Sequence, residues 1–376
     1  MSAERGRATP LGVHDPGLRI AMLAPPWIPV PPLGYGGVEA VVSLLTEELV
    51  ARGHDVTLFA APGSHSSARV HTLLDSAHPQ TIGSALHESD HVALALEAID
   101  EATAGGAPFD VIHDHSGFVA LAMASRVDVP MVHTMHGLLV DGSTGFYRRH
   151  GHKARLVAIS GSQRATAPAN VHVAAVVPNP IAVEHWPFEA HKDDYLLWIG
   201  RMDPTKGPHR AIEAARLAGR PLVLAGPVQT SDQADYFSER VAPHIDGQRV
   251  RYVGEVRGTP EKQLYARAAA LLMPIRWNEP FGMVMVEALA CGTPVIAFAE
   301  GAATEIVVDG VNGMLVEDEA GMARAIAHIA EIDPAGCRES VRARYAPAIT
   351  AAGYEAVYDL AAGPGPVRCS PRNDDR

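Results

Sequence analysis

The residues with the clearest chemical potential are Glu279 and Glu287, which stand eight positions apart in Asn278-Glu279-Pro280-Phe281-Gly282-Met283-Val284-Met285-Val286-Glu287-Ala288. From Gly282 to Ala290, Glu287 is the only charged residue. Pro280-Phe281-Gly282 before this run and Cys291-Gly292-Thr293-Pro294 after it frame a helix. A helix that is apolar on every side is buried, and a lone buried carboxylate costs several kcal/mol, roughly, unless it finds hydrogen-bond partners. Glu287 therefore needs a partner. A pair of ligand hydroxyls would serve, and so would a buried salt bridge. If Gly282 starts the helix, the N–H groups of Phe281, Gly282, Met283 and Val284 point at one spot, which favours an anion. Glu279 lies just ahead of that spot, as a ligand contact or as a loop acid in water. Glu287 lies roughly 12 Å further along the axis at ~1.5 Å per residue. A nucleotide sugar could span this layout, with sugar near Glu279, diphosphate between and ribose near Glu287.

A second loop carries cations. Tyr195-Leu196-Leu197-Trp198-Ile199 reads as a strand, and Gly200-Arg201-Met202-Asp203-Pro204-Thr205-Lys206-Gly207 follows it before a helix. Arg201 could bind phosphate oxygens in bidentate fashion and Lys206 as a point charge; a solvated loop with incidental charges is the plainer reading. The pattern is not the Gly-x4-Gly-Lys-Ser/Thr of the P-loop. After the first strand, Pro31-Pro32-Leu33-Gly34-Tyr35-Gly36-Gly37-Val38-Glu39 opens a helix. Glycines there let backbone N–H groups approach a phosphate closely, or make an ordinary turn. Histidines crowd two strand ends, in His113-Asp114-His115 and His133-Thr134-Met135-His136-Gly137. They suit a hydrogen-bonding cleft wall or a polar patch in the core; a metal would need a third ligand that the spacing does not supply. Asp-x-Asp occurs nowhere in the chain, so charge neutralisation shifts towards Arg201, Lys206 and helix N-termini.

These loops need strands and helices to aim them. Short apolar runs alternate with helical patterns, which predicts α/β architecture with mostly parallel sheets. Strands are expected at 18–23, 55–60, 110–113, 130–134, 156–159 and 174–177, then at 195–199, 221–225, 250–253, 270–273, 294–298 and 313–316. Helices are expected at 37–52, 85–104, 117–126 and 160–167, then at 209–218, 260–268, 282–290 and 319–329. The boundary between the two series falls near residues 179–192. A last helical pattern, 348–361, either caps the second series or crosses back to the first. In open α/β sheets ligands sit at the carboxyl ends of the strands, where the candidate residues fall.

Composition sets outer limits. A chain of 376 residues suits two domains of ordinary size. The formal net charge of −12 argues against a general nucleic-acid binder. No uninterrupted apolar run could span a membrane, and the first residues, with Glu4, Arg5, Arg7 and Asp15, do not read as a signal peptide. The three cysteines, Cys291, Cys337 and Cys369, show no metal or disulfide spacing, which fits a reducing cytoplasm. The tail after Ala362 is rich in Pro, Gly and charge and is expected to be disordered.

Taken together, these segments resemble glycosyltransferase family 4, from about residue 18 to 360. The most specific match is the Glu-x7-Glu motif from Glu279 to Glu287, and the second is the Gly-Arg-x4-Lys-Gly loop from Gly200 to Gly207. Supporting matches are Tyr35-Gly36-Gly37-x-Glu39, Ala158-Ile159-Ser160, Val177-Pro178-Asn179, Tyr252-Val253-Gly254 and Gly292-Thr293-Pro294-Val295. The resemblance implies a GT-B fold, two Rossmann-like doubly wound domains facing across a cleft. It implies an acceptor-side domain over residues 1–180, a donor-side domain over 181–347, and helix 348–361 packing back on the first. It implies a retaining, metal-independent and cofactor-free glycosyltransferase. The donor would be a UDP- or GDP-linked sugar, and the acceptor a small molecule, natural product or glycan. Arg201 and Lys206 would hold the donor diphosphate, approached by Gly36 and Gly37 from the other domain. Glu287 would bind the ribose hydroxyls, Glu279 the transferred sugar, and His136 would lie beside that sugar. Gly254 and Val256 would frame the base through their backbone. A GT-B sugar phosphorylase, a nucleotide-sugar epimerase and a non-catalytic nucleotide-sugar-binding regulator are the alternatives.

Overall fold

The computed structural model describes residues 17–34 and 36–362. The expectations for the first residues, for Tyr35 and for the tail beyond Ala362 lie outside them. The described residues form two parallel sheets of short strands, the central ones buried on both faces. Such strands read as continuous apolar runs, because helices cover both sides of the sheet.

The first sheet contains β1 (Arg19–Leu23), β2 (Asp55–Ala60), β3 (Arg69–Thr72), β4 (Val111–Asp114), β5 (Met131–Met135), β6 (Arg155–Ala158) and β7 (Val173–Val176) in the order β3-β2-β1-β4-β5-β6-β7. The second contains β8 (Leu196–Ile199), β9 (Leu222–Ala225), β10 (Val250–Tyr252), β11 (Ala270–Met273), β12 (Val295–Phe298) and β13 (Gly313–Val316) in the order β10-β9-β8-β11-β12-β13. The register is in phase across the centre of each, with Met22 beside Leu58 and His113, and Leu197 beside Val223 and Leu271. Chain direction across the first sheet reverses between β1 and β4, and across the second between β8 and β11. Those are the switch points where an open α/β sheet leaves a crevice for ligands. The loop bearing Arg201 leaves β8, the Glu279 loop leaves β11 and the His115 segment leaves β4.

Helices α1 (Gly37–Ala51), α2 (Ala85–Ala104), α3 (Phe118–Met123), α4 (Asp141–His150) and α5 (Gly161–Ala165) belong to the first series. The second has α6 (Pro208–Ala218), α7 (Ser231–Arg240), α8 (Thr259–Arg267), α9 (Met283–Ala290), α10 (Ala303–Ile306), α11 (Glu319–His328) and α12 (Pro334–Tyr345), followed by α13 (Pro347–Ala362). Alternation along β1 sends Ile20 and Met22 to one core and Ala21 and Leu23 to the other, as a period of two requires. The first of these cores also holds Tyr354 and Tyr358 of α13. The last helix therefore crosses back, the second of the two courses open to it on sequence. Glu355 fixes it there with Arg52 Nε at 2.7 Å and Nη2 at 2.6 Å, and the Thr350 hydroxyl donates to Pro178 O at 3.0 Å.

Some elements escaped the sequence reading. β3 is an edge strand whose Arg-Val-His-Thr run is largely exposed, so it has no apolar signature. Helices α4, α7 and α12 are polar and bury few residues. The helix expected from Gly282 begins one residue later. Gly282 is its cap, held in the left-handed region at φ 86°.

Candidate active site

The two sheets face each other across a cleft of about 380 Å³. Gly37, Val38, His136 and Asn179 line it from the first series. Arg201, Lys206, Trp277, Glu279 and the stretch from Phe281 to Val284 line it from the second. Of the residues singled out on sequence, Gly37, His136, Arg201, Lys206, Glu279, Phe281, Gly282, Met283 and Val284 meet here. Gly36 sits one residue back, as the cap of α1. Gly254, Val256 and Glu287 are not in the cleft wall.

The cation loop folds upon itself. Asp203 Oδ1 accepts the Thr205 N–H at 2.8 Å and also the Thr205 hydroxyl, and Asp203 O accepts Lys206 N–H at 3.1 Å. Burial opposes ionisation of Asp203, but these bonds and the charges of Arg201 and Lys206 hold its carboxyl below the usual range. Trp198, buried on β8, donates its indole N–H to Lys206 O at 3.1 Å and so anchors the end of the loop. At Gly207, φ is 72° and a Cβ would fall 2.6 Å from Pro274 O, so no other residue fits without rearrangement.

Lys206 Nζ reaches across to Glu279 Oε2 at 2.6 Å and stands 5.0 Å from the Trp277 ring centroid. Two residues assigned to different parts of a ligand are thus paired with each other. No carboxylate lies within ion-pair distance of the Arg201 guanidinium among the described residues. Glu279 itself is fixed through its backbone: Glu279 O accepts Ala302 N–H at 3.0 Å, and Gly301 packs against it so closely that a Cβ would lie 2.5 Å from Glu279 N.

Helix α9 shows two faces. Met285, Val286, Ala288, Leu289 and Ala290 are buried, whereas Met283, Val284 and Glu287 are only half-buried. Residues three and four apart share a helix face, so these three form one stripe that starts at the cleft. Glu287 is therefore less buried than a helix apolar on every side requires. Its carboxylate has found the Tyr265 hydroxyl, which donates to Oε2 at 2.9 Å, rather than a salt bridge. Burial first, and then Glu261, push the Glu287 carboxyl up to about 7. Among the described residues the N–H groups of Met283 and Val284 donate to no backbone carbonyl, as the first turn of a helix leaves them. Phe281 does not face the ligand space alone; its ring is buried edge-on against Tyr345 at 5.5 Å.

On the opposite wall, α1 presents its N-terminus. A Cβ at Gly36 would fall 2.7 Å from Pro32 Cβ and 3.1 Å from Glu39 Oε2. Glu39 is buried, and burial raises its carboxyl to about 7. The histidines divide between core and cleft. His113 is buried, with Nδ1 on Tyr358 Oη at 2.7 Å and Nε2 on Thr134 Oγ1 at 2.9 Å. His133 is buried on Asp114 Oδ2 at 2.6 Å. Only His136 of the group lines the cleft, with Nε2 at 2.8 Å from His115 Nδ1. Burial, with His133 adding to it against Asp114, holds His136 down to about 4, so the ring is neutral. Among the described residues no group of three or more His, Cys, Asp or Glu is placed to hold a metal ion.

Sequence reasoning gave no role to Trp277 or Asn179. Trp277 stands two positions before Glu279 and forms the flat wall beside Lys206; an aromatic next to a motif acid was the available signal. Asn179 is buried at the end of the Val177-Pro178-Asn179 match.

Comparison with known proteins agrees in both halves. The family described as Glycosyltransferase Family 4 matches residues 35–185, and Glycosyl transferases group 1 matches residues 184–344. A glycogen synthase of Mycobacterium tuberculosis is 30% identical over 365 residues, covering 83% of this chain and 86% of that protein. A D-inositol 3-phosphate glycosyltransferase of Frankia alni is 30% identical over 335 residues, covering 75% and 82%. Among solved structures, AviGT4, a glycosyltransferase involved in avilamycin A biosynthesis, superposes with a TM-score of 0.68 at 25% identity, over 92% of this chain and 98% of that one.

Proposed function

The chain belongs to the group 1, family 4 glycosyltransferases of GT-B fold, which transfer sugar from a nucleotide-sugar donor, and from that premise we propose that it is a retaining, metal-independent enzyme acting on an acceptor hydroxyl. The donor is a UDP- or GDP-linked sugar. Residues 181–347 hold it, and residues 1–180 with α13 present the acceptor, a glycan or small molecule. The buried free thiols of Cys291 and Cys337 suit a cytoplasmic setting. No helix among the described residues is long and apolar enough to cross a membrane.

The observation that carries this reading is a cleft with more cation and N–H donors than its lining carboxylate, Glu279, pairs with. The Arg201 guanidinium and the N–H groups of Met283 and Val284, without hydrogen-bond partners among the described residues, converge with Lys206 on one cleft. Charge that develops on the leaving diphosphate meets donors already in place, so Arg201 and Lys206 take over the neutralising task a divalent ion would otherwise perform. Glu279 contacts the transferred sugar beside His136, Glu287 takes the ribose hydroxyls beyond the diphosphate, and the backbone at Gly254 and Val256 borders the base. When the diphosphate arrives, Lys206 turns from Glu279 to it, and Glu279 is freed for the sugar.

In the reaction the bond from anomeric carbon to phosphate oxygen breaks, and a bond to the acceptor oxygen forms on the same face. The acceptor proton passes to the departing phosphate oxygen. No side-chain nucleophile takes part: Glu279 contacts the transferred sugar, and Glu287, given to the ribose, lies beyond the cleft wall. A glycosyl adduct trapped on any side chain would refute this route.

The direct test is thermal denaturation with UDP, GDP and ADP and their sugar conjugates, since a bound ligand raises apparent stability by mass action. UDP or GDP is expected to raise Tm, with activity unchanged by EDTA, and a shift with ADP alone would overturn the donor assignment. No shift with any of them would overturn the assignment. A requirement for inorganic phosphate would favour a phosphorylase instead.

A further inference from the structure

The contact between His115 Nδ1 and His136 Nε2 at 2.8 Å holds one proton between two neutral rings. Burial keeps His115 well below its ordinary pKa and His136 at about 4, with neighbouring histidines acting in the same direction, so neither ring carries a second proton. Two arrangements remain. Either His115 Nδ1–H donates to His136 Nε2, or His136 Nε2–H donates to His115 Nδ1.

The other nitrogen of His115 decides between them. His115 Nε2 is buried and has no hydrogen-bond partner among the described residues. If His136 were the donor, a neutral His115 would have to carry its proton on Nε2 and bury an unpaired N–H. If His115 is the donor, its Nε2 is a bare ring lone pair. Orphaned buried N–H groups are rarer than under-satisfied acceptors, because a donor deprived of water and of any partner loses a full hydrogen bond. We propose that His115 is a positioning residue for His136, donating from Nδ1–H to His136 Nε2 and fixing His136 as the tautomer that carries its proton on Nδ1, at the cleft.

The support behind His115 is rigid. Its ring lies 4.1 Å from that of His113 and 5.1 Å from that of His136, centroid to centroid. His113 is itself pinned by Tyr358 and Thr134, and Thr134 Oγ1 meets Tyr354 Oη at 2.8 Å. The chain's last helix, α13, thus braces His115 through the His113 ring packed against it. Two consequences follow for the reaction, and these rest on the proposed function whereas the tautomer does not. His136 offers the ligand a hydrogen-bond donor, suited to a sugar hydroxyl or phosphate oxygen. Its cleft nitrogen cannot take a proton from the acceptor, which leaves that proton to the departing phosphate.

Two-bond 1H–15N correlation spectra of the full chain labelled with 15N-histidine read the tautomer directly, with His136 identified by its loss in His136→Gln. His136 Nδ1 is expected to give the shift of a protonated nitrogen and Nε2 that of a bare one. The reverse pattern overturns the proposal. In His115→Leu the two His136 nitrogens should move towards averaged values as both tautomers become populated; unchanged shifts would also overturn it. Turnover is measured with whichever of UDP-glucose, ADP-glucose or GDP-mannose the wild type consumes. His115→Leu should lower kcat about tenfold, on the scale of one lost hydrogen bond, with affinity for the matching nucleoside diphosphate held within about twofold. His115→Asn, which keeps an amide donor at that position, should recover most of the rate. Equal losses in Leu and Asn, or none in Leu, count against it. If the wild type consumes no nucleotide sugar, the proposed function fails while the spectra still decide the tautomer.

Discussion

In the proposed reading Arg201, Lys206, Glu279 and Glu287 divide one donor between them, and their surroundings separate their tasks. Arg201 pairs with no carboxylate among the described residues, whereas Lys206 is shared with Glu279 at 2.6 Å. Removing either cation should cut transfer roughly 100-fold, on the scale of losing one charge-stabilising donor. Near-normal turnover of both Arg201→Ala and Lys206→Ala would sink the diphosphate assignment. Glu287 titrates in a useful range. Its carboxyl is raised to about 7, so its contribution to stability is present in full below about 4.5 and is lost as pH rises through about 7. Ribose hydroxyls donate best to the ionised form. Donor affinity should therefore increase as pH rises through about 7, and Glu287→Gln should remove that increase and weaken binding roughly tenfold or more. Calorimetric titration across pH 5.5–8.5 checks this; the same pH slope in wild type and Glu287→Gln would take Glu287 away from the ribose.

At the scale of elements, the site depends on how closely backbones approach. Gly301, at φ 57°, lies against the Glu279 main chain, where a Cβ would come within 2.5 Å of Glu279 N and 2.7 Å of its carbonyl oxygen. Gly301→Ala must push that loop aside and hold an alanine in the left-handed region, at about 1–2 kcal/mol. Because displacements near 1 Å matter so much to reacting groups, transfer should drop roughly tenfold or more. Melting temperature and kcat measured together test it, and kcat within twofold of wild type would show that Glu279 need not be so tightly held. The half-buried stripe of Met283, Val284 and Glu287 makes the same point for α9. A helix whose sequence is almost wholly apolar still leaves one stripe half-buried, because its N-terminus opens on the crevice at β8 and β11.

For the whole molecule, the two sheets are joined beside the cleft by specific bonds. Glu305 of α10 accepts Gly161 N–H at 2.9 Å and Ser162 N–H at 2.6 Å, a carboxylate from one series at the N-terminus of α5 in the other. The Ser162 hydroxyl donates to Asn278 Oδ1 at 2.6 Å, next to Glu279. On the far side of the cleft Gly34 approaches Arg257, where a Cβ would lie 2.5 Å from Arg257 Cδ. An acid at a helix N-terminus contributes about 0.3–1 kcal/mol, enough to bias an open–closed equilibrium several-fold. Glu305→Ala should therefore raise the donor KM a few-fold with little loss of kcat, and enlarge the radius of gyration in small-angle scattering. Unchanged scattering and KM would mean that these bonds follow domain closure without favouring it.

Much of this was legible in the chain itself. Alternating apolar runs and helical patterns carry the α/β class, since each strand buried on both faces leaves an unbroken hydrophobic signature. The Glu279–Glu287 spacing and the Arg201–Lys206 loop carry the proposed chemistry, because phosphate and sugar recognition demands charged groups at strand ends and glycines where backbones must come close. Polar helices α4, α7 and α12 and the exposed edge strand β3 left no such trace. Their stability comes from neighbours, not from their own pattern. The same reason explains what only the tertiary structure decided. Trp277 as the wall beside Lys206, Tyr265 as the partner of Glu287, and Gly301 against Glu279 join residues distant in sequence. So does the packing of Tyr354 and Tyr358 on His113, and of His113 on the His115 ring that bonds His136. Pairing of this kind depends on where folded elements come to rest. Sequence determined which residues could meet a nucleotide sugar; packing decided which of them meet one another first.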